Sequence, residues 1–275
     1  MESVSKVLAQ VTNLTVRYIS NTKMSMSALN NMSLNIWPGE VLAIVGESGS
    51  GKSTLAAALL RLLPSNAQCS GSLLFEGNDL LGMHARDLRH LRGARLSLIP
   101  QDPASALNPV LKIGTQISEV LRAHVRMSGG ERQARVRELL SEVGFSDPER
   151  IALSYPHQLS GGQRQRLVIA QAIACRPVLI IADESTSKLD GPLQAETISL
   201  LSEIVRRRGT ALIWITHELA TVAGFASRIA VMHAGRVVEE GRTQDLLRRP
   251  MHTYTRELLR LSRERTLTLR RPSRR

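Results

Sequence analysis

The stretch that most constrains the fold of this chain is residues 46–53, which read Gly-Glu-Ser-Gly-Ser-Gly-Lys-Ser. They match the pattern G-x-x-x-x-G-K-[ST], a loop whose backbone N–H groups surround phosphate groups. The apolar residues 41–45 before the loop predict a strand buried on both faces, and residues 54–63 predict a helix stopped by Pro64. Because a helix N-terminus carries partial positive charge, this strand–loop–helix order predicts a phosphate-binding site.

The composition of the chain disfavours several classes of protein. Cys69 and Cys175 lie far apart and form no C-x-x-C pair, so they predict neither a disulfide framework nor a zinc site. No apolar run approaches the roughly 18 residues that cross a bilayer, and we expect no membrane span. The net charge of +12 suits an anionic membrane surface or nucleic acid, although an aromatic content of 3% offers few rings for stacking on bases.

The spacing of apolar residues predicts an α/β core that a helical segment interrupts. From Gln101 to Arg176 the spacing is mostly helical. Strands that are apolar on both faces favour a mostly parallel sheet covered by helices. Helices are expected at residues 113–125, 131–143 and 163–175, strands at 11–19, 71–75, 96–99, 178–182 and 211–215, a hairpin at 229–239, and a loop at 21–27.

Two carboxylates follow one of these buried strands. Asp183 and Glu184 end the apolar run 178–182, and ligands of an open α/β sheet bind at the carboxyl ends of its strands, so both are expected to face the phosphate loop. Asp183 would hold Mg²⁺ through its water shell while Ser53 binds the ion directly, and Glu184 would activate the attacking water. His217 follows another strand, where it is either structural or close to the γ-phosphate.

A second helix start of the anion-binding type lies within the helical segment. Residues 159–163 read Leu-Ser-Gly-Gly-Gln, and the serine and glycines open a predicted helix. Because the chain has only one phosphate loop, this helix start and the loop are expected to meet across a dimer interface.

Together these motifs resemble those of the ATP-binding cassette (ABC) ATPases, over most of the chain from residue 11 to residue 259. The phosphate loop corresponds to the Walker A motif, residues 178–183 to the Walker B motif, and residues 159–163 to the family signature without departure. The remaining correspondences are Gln101 with the Q-loop glutamine, residues 187–190 with the D-loop, His217 with the switch histidine, and Tyr18 with the aromatic residue that stacks on adenine.

The resemblance implies that the chain binds ATP and Mg²⁺ and hydrolyses ATP, with two subunits enclosing two nucleotides. The implied nucleotide contacts within one subunit are Tyr18, Gly46, Ser48, Gly49, Ser50, Gly51, Lys52, Ser53 and Thr54. The implied contacts with the nucleotide of the opposite subunit are Ser160, Gly161, Gly162 and Gln163. The implied metal ligands are Ser53, Gln101 and Asp183, and the implied catalytic residues are Glu184, His217 and Gln101.

The implied fold is α/β: a P-loop ATPase core with a mostly parallel sheet, an antiparallel β subdomain, and a helical insertion that carries the signature motif. Residues 1–102 are then the first part of the core, with the antiparallel β subdomain and the phosphate loop, and residues 103–176 are the helical signature subdomain. Residues 177–240 complete the core, and residues 241–275 form a C-terminal extension with a basic tail.

Further motifs are similar to those of the ATPase subunits of oligopeptide, dipeptide and nickel importers: residues 101–109, 155–158 and 249–256. The resemblance implies transmembrane permease subunits, an extracytoplasmic solute-binding protein reached through them, and a second ATP-binding subunit, identical or different. It also implies a peripheral position at the cytoplasmic face of the inner membrane. The expected solute is a peptide, with nickel or another small solute as the alternative.

Departures from the family pattern leave other interpretations open. Ser185 replaces a proline and Lys188 an alanine, which is compatible with a weakly hydrolysing partner subunit. The two cysteines cannot form the C-terminal cluster that holds an iron–sulfur centre in several peptide-importer ATPases, so no such centre is expected. A nucleic-acid-acting ABC protein is disfavoured, because the chain has one cassette and no long coiled coil between its phosphate loop and signature.

Overall fold

The structure is a computed structural model that describes residues 7–19, 25–186 and 191–269, with the backbone alone at 220–221 and 263–269. The described residues form two compact units. The first unit takes its residues from 1–83 and 213–275, and the second from 84–212. Each unit combines strands with helices, as the alternation of apolar runs predicts.

Ten strands and eleven α-helices occur within the described residues. The strands are β1 (Ala9–Ile19), β2 (Ser25–Ile36), β3 (Val41–Val45), β4 (Ala67–Phe75), β5 (Asn78–Asp79), β6 (Leu96–Ile99), β7 (Leu179–Asp183), β8 (Ala211–Thr216), β9 (Arg228–His233) and β10 (Arg236–Arg242). The helices are α1 (Lys52–Leu59), α2 (Ala85–Leu91), α3 (Pro103–Ala106), α4 (Ile113–His124), α5 (Gly129–Glu142), α6 (Pro148–Leu153), α7 (Gly161–Ile173), α8 (Gly191–Arg208), α9 (Leu219–Val222), α10 (Thr243–Arg248) and α11 (Thr253–Leu269).

The first unit contains an antiparallel sheet with the strand order β2-β1-β4-β5. Val11, Leu14 and Val16 of β1 are buried, whereas the residues between Val11 and Leu14 are exposed. A strict two-residue alternation would put Val11 and Leu14 on opposite faces. A register shift between them, with Asn13 at φ 51°, returns Leu14 to the buried face.

A second set of strands in the first unit has the order β10-β9-β3-β8, and residues 213–216 of β8 belong to this unit. β3 runs parallel to β9, and β9 forms an antiparallel hairpin with β10. Every residue of β3 after Val41 is buried, which explains its continuous apolar sequence. The phosphate loop therefore leaves the end of a strand that is fixed within a packed sheet.

The second unit consists of helices α2 to α8 with the parallel strand pair β6 and β7. α7 packs against α3, α4, α5, α8 and β6, and its buried residues include Leu167, Ile169 and Ile173. The helix that carries the signature motif is thus held on several sides by its own unit.

Two local expectations were wrong. The loop expected at residues 21–27 is strand from Ser25 onward, because this polar stretch pairs with β1 and so satisfies its backbone groups. Residues 20–24 lie outside the described residues. The helix expected at 54–63 ends at Leu59, since Arg61 adopts φ 53° and its guanidinium donates to the carbonyl of Leu80 at 2.6 Å.

In the part of the chain that the structure describes, no helix is both long enough and apolar enough to cross a membrane.

Candidate functional site

The phosphate loop lies in the first unit, between β3 and α1. Gly49 and Gly51 have φ values of 82° and 102°, in the left-handed region that favours glycine. A Cβ on Gly46 would lie 2.2 Å from the carbonyl oxygen of Met232, and one on Gly51 would lie 2.5 Å from that of Ala28. A Cβ on Gly49, in contrast, would have no atom of a described residue within 4 Å. Close packing on one side of the loop and open space at Gly49 fit a backbone that surrounds a phosphate chain.

Lys52, the first residue of α1, is only 4% exposed. Its ammonium donates to the carbonyl oxygens of Gly46 and Glu47, both at 2.8 Å. The N-cap residue of α1 is Gly51, which has no side chain to cap the helix, and the first amides of any α-helix lack partners within the helix. A buried cation beside a helix N-terminus suits a bound anion, and these residues fit the phosphates of a nucleotide.

Two more of the predicted site residues lie in the first unit. The hydroxyl of Tyr18 in β1 is 3.3 Å from that of Thr54 in α1, and the Tyr18 side chain is partly exposed. This contact places a predicted adenine-stacking ring beside the end of the phosphate loop. His217 follows β8, its side chain is 38% exposed, and its Nε2 lies 3.9 Å from a carboxylate oxygen of Glu218.

The predicted catalytic carboxylate lies in the second unit. β7 ends at Asp183, and Glu184 follows with a φ of 44°, which is uncommon for a residue other than glycine. The side-chain amide of Gln101 donates to a carboxylate oxygen of Glu184 at 3.0 Å. Backbone strain of this kind is concentrated at functional sites. The structure therefore brings together two residues that were predicted separately, from the ends of neighbouring strands.

The two residues after Glu184 are buried. Ser185 is 3% exposed and Thr186 is 4% exposed. Within the part of the chain that the structure describes, the Ser185 hydroxyl has no hydrogen-bond partner. Ser185 stands where the family pattern has a proline. The D-loop residues 187–190, including Lys188, lie outside the described residues.

The signature motif opens α7 in the second unit. Ser160 is the N-cap, its hydroxyl accepts from the amide of Gln163 at 3.3 Å, and the Gln163 side chain accepts from the amide of Ser160 at 3.0 Å. This reciprocal pair is a capping box, which fixes the first turn of the helix. A Cβ on Gly162 would lie 2.6 Å from the side chain of Leu193. Gly162 therefore lets α8 pack closely against the signature.

A cavity of about 340 Å³ adjoins the signature within the second unit. Its lining includes Ser160, Gln163 and the two basic residues Arg150 and Arg166. Arg166 donates to the carbonyl oxygens of Val143 and Gly144, both at 3.2 Å, and also forms an ion pair with Glu196. Asp147, which also lines the cavity, pairs with Arg150 at 3.5 Å, so the two arginines beside the start of α7 are both partnered by carboxylates.

The predicted site residues therefore fall into two groups. Tyr18, residues 46–54 and His217 lie in the first unit, whereas Gln101, residues 160–163, Asp183 and Glu184 lie in the second. Among the described residues, no group of three or more His, Cys, Asp or Glu side chains could hold a metal ion.

One residue that contacts the phosphate loop was not predicted. The amide of Glu47 donates to the hydroxyl of Tyr254 in α11 at 3.1 Å. Burial raises the pKa of the Tyr254 hydroxyl, although the bond from Glu47 acts in the opposite direction, so the hydroxyl stays neutral at physiological pH. In the sequence, Tyr254 belongs to residues 249–256, which are similar to a motif of the peptide- and nickel-importer ATPases. That motif does not indicate which part of the protein Tyr254 contacts.

The comparisons with known proteins agree with these motifs. The dipeptide transport ATP-binding protein DppD of Haemophilus influenzae is 46% identical over 254 residues, which cover 92% of this chain and 77% of that protein. The peptidoglycan transport ATP-binding protein YejF of Agrobacterium fabrum is 44% identical over 260 residues, 94% of this chain. The matched part is 47% of YejF, so the chain spans about half the length of that relative.

A solved structure has the same fold. The dimeric ATP-binding cassette MJ0796, in a post-hydrolysis state bound to ADP and Pi, matches with a TM-score of 0.75 and 30% identity. The match covers 86% of this chain and 98% of that one, and it confirms the predicted α/β fold. The sequence model described as ABC transporter matches residues 29–187, more than half of the chain. The resemblance predicted from the motifs is therefore confirmed, and this chain belongs to the ABC transporter family as an ATP-binding cassette similar to those of peptide transport systems.

Proposed function

We propose that this chain is the ATP-binding and ATP-hydrolysing subunit of an ABC importer that energises the uptake of peptides. The observation that carries the proposal is the phosphate loop, where Lys52 is held by the carbonyls of Gly46 and Glu47 at the start of α1. The peptide assignment is supported by the 46% identity to a dipeptide transport protein over 92% of the chain.

The first unit supplies the groups that grip the nucleotide. The amides of residues 46–54 surround the phosphates, and the ammonium of Lys52 neutralises negative charge on the β- and γ-phosphates. The ring of Tyr18 stacks on adenine, and His217 responds to the γ-phosphate. The 3.3 Å contact between the hydroxyls of Tyr18 and Thr54 supports these roles, because it places the ring proposed to stack on adenine next to the residue that follows the phosphate loop.

The second unit supplies the groups that act on water and on a neighbouring nucleotide. Glu184 orients and deprotonates the attacking water, and Gln101 fixes the carboxylate that does so. Residues 160–163 bind the γ-phosphate held by a second ATP-binding subunit. Mg²⁺, when bound, neutralises phosphate charge, and the oxygen donors of Ser53, Gln101 and Asp183 are of the type that it prefers.

The partners follow from this role. We propose a second ATP-binding subunit, transmembrane permease subunits, and an extracytoplasmic solute-binding protein that delivers the peptide. The chain then sits peripherally on the cytoplasmic face of the inner membrane, where its net charge of +12 faces an anionic leaflet. Nucleic acid is not among the proposed partners.

The proposal is tested by purifying the chain from its own cell membranes and identifying the subunits that copurify. The expected result is a complex with permeases and a second ATPase, with Mg²⁺-dependent phosphate release that rises when a peptide-loaded binding protein is added. The Lys52→Ala variant should bind ATP more weakly and lose this activity. Stimulation by a nickel chelate and not by peptides would overturn the solute assignment. Copurification with nucleic acid and without permeases would overturn the transport role.

A further inference from the structure

The hydroxyl of Tyr254 in α11 accepts a hydrogen bond from the phosphate loop. Tyr254 lies in the first turn of α11, is 9% exposed, and accepts a hydrogen bond of 3.1 Å from the amide of Glu47. The two residues are 207 positions apart in the sequence. Because both belong to the first unit, this contact links α11 directly to the loop.

The peptide group between Gly46 and Glu47 takes part in two hydrogen bonds, one with Tyr254 and one with Lys52. The amide of Glu47 and the carbonyl of Gly46 belong to the same planar peptide. The carbonyl accepts from the ammonium of Lys52 at 2.8 Å, while the amide donates to the hydroxyl of Tyr254 at 3.1 Å. Rotation of this peptide would break both bonds, and each bond polarises the group in favour of the other. The Tyr254 hydroxyl therefore stabilises the orientation of the carbonyl that holds Lys52.

Tyr254 is itself held by a short network on β10. The carboxylate of Glu239 accepts from the amide of Met251 at 2.7 Å and from that of His252 at 3.0 Å. The ring Nδ1 of His252 then accepts from the amide of Tyr254 at 3.2 Å. These bonds fix the start of α11 relative to β10, the second strand of the β9–β10 hairpin.

The ring of Tyr254 is also packed against the hairpin. Its centroid lies 4.1 Å from that of His233, at the end of β9. The carbonyl oxygen of the neighbouring Met232 lies 2.2 Å from where a Cβ on Gly46 would be, and the amide of Gly235 donates to the carbonyl of Ser50 at 3.0 Å. The loop, the hairpin and the start of α11 thus form one contiguous set of contacts within the first unit.

We propose that Tyr254 is a positioning residue for nucleotide binding: its hydroxyl orients the Gly46–Glu47 peptide, which in turn places the ammonium of Lys52 toward the phosphates. The inference rests on the proposed ATPase function and extends it by naming a residue outside the Walker A, Walker B and signature motifs. It also gives the C-terminal segment a role, because any displacement of the start of α11 would withdraw the hydroxyl from the loop.

The test is the Tyr254→Phe variant of the full chain, which removes the hydroxyl and keeps the ring on His233. One neutral hydrogen bond contributes about 1 kcal/mol, so the variant should bind a fluorescent N-methylanthraniloyl ATP about five-fold more weakly. In steady-state assays KM for ATP should rise by a similar factor, and kcat should change less. The thermal unfolding midpoint of the nucleotide-free protein should fall by less than about 4 °C, the shift expected for 1 kcal/mol in a protein of this size.

The matched control is Met251→Ala, in the same segment. The Met251 side chain is 80% exposed, and its backbone amide, which bonds to Glu239, is retained. This variant should bind the ATP analogue as the natural chain does.

Three outcomes would overturn the inference. Unchanged affinity and KM in Tyr254→Phe, with an active natural chain, would refute it and leave the proposed function intact. A lowered unfolding midpoint with unchanged affinity would assign the hydroxyl a purely structural role. Failure of the natural chain to bind the analogue would refute the ATPase proposal together with the inference.

Discussion

The side-chain amide of Gln101 donates a hydrogen bond of 3.0 Å to the carboxylate of Glu184. β6 and β7 are parallel, and Ile99 pairs with Ala182. Gln101 and Glu184 each lie two positions beyond this pair. The register of the two strands thus brings the amide to the carboxylate. Because this bond restricts rotation of the carboxylate, it suits a group that must orient a water molecule.

The Glu184→Gln variant should retain ATP binding and lose most of its turnover. The glutamine side chain keeps an oxygen that can accept the bond from Gln101, but it cannot take a proton from water at neutral pH. General-base catalysis contributes about 10²–10⁴-fold, and phosphate release should fall by at least about 100-fold. Steady-state phosphate release and titration with a fluorescent ATP analogue measure the two properties separately.

The control for this variant is Glu149→Gln. Glu149 lies on α6 with its side chain 70% exposed, and it forms an ion pair of 3.5 Å with Arg137. Neutralising this surface carboxylate should leave turnover unchanged, since exposed ion pairs contribute little. Undiminished hydrolysis in Glu184→Gln would refute the assignment of the catalytic base.

The fold was predictable where burial leaves a simple pattern. β3, β7 and β8 are continuous apolar runs, and their observed bounds lie within one residue of the predicted ones. The first residues of β2 and the helix α6 were missed, because neither has an apolar run of its own. β2 is stabilised there by pairing with β1, and α6 begins with an Asp147 cap followed by proline. Tertiary partners and caps of this kind do not appear in apolar spacing.

The candidate site shows the same division. The residues of the loop, the acidic pair and the signature could be recognised from spacing, because each motif occupies a few consecutive positions, whereas Tyr18 and Gln101 were implied only by the family resemblance. The contact between Glu47 and Tyr254 joins residues 207 positions apart, and no local pattern encodes it. Contacts of this type depend on how α11 returns to the sheet, which requires the folded chain.

The Ser185→Ala variant should be more stable than the natural protein. The Ser185 hydroxyl is buried without a hydrogen-bond partner among the described residues, and such a group costs about 1–3 kcal/mol of desolvation. Its removal should raise the thermal unfolding midpoint by about 2–4 °C for each kcal/mol recovered. Turnover should be unchanged, because the main chain that carries Glu184 is unaltered.

The contrasting variant is Thr210→Val. The Thr210 hydroxyl is equally buried but donates to the carbonyl of Pro177 at 3.0 Å, so its loss leaves a buried acceptor unpaired. The unfolding midpoint of Thr210→Val should fall. A fall of similar size in Ser185→Ala would contradict the interpretation that its hydroxyl is an uncompensated cost.

The Gly46→Ala variant should disturb both the stability and the nucleotide affinity of the loop. An added Cβ would lie 2.2 Å from the backbone carbonyl of Met232, so either β9 or the loop must move. Overpacking of this kind costs about 1–3 kcal/mol, and displacement of the Gly46 carbonyl would also weaken the anchor of Lys52. Thermal unfolding and ATP titration should both report a loss. Gly129→Ala should be tolerated in both assays, because a Cβ there has no neighbour within 4 Å in the described parts of the chain.

Acid should release the start of α11 through Glu239. Burial acts to raise the pKa of this carboxyl, but the amide of Met251, the nearby Thr255 hydroxyl and the amide and charge of His252 outweigh it, so the pKa lies below its ordinary value. A carboxyl with a lowered pKa stabilises the folded state above the ordinary glutamate pKa of about 4.3 and loses that contribution as the pH falls through the folded value. The natural chain should therefore unfold at a higher temperature than Glu239→Gln near neutral pH, and this difference should shrink in acid. Unfolding midpoints of both proteins across the pH range measure it, and a difference that grows in acid would contradict the anchoring role of Glu239.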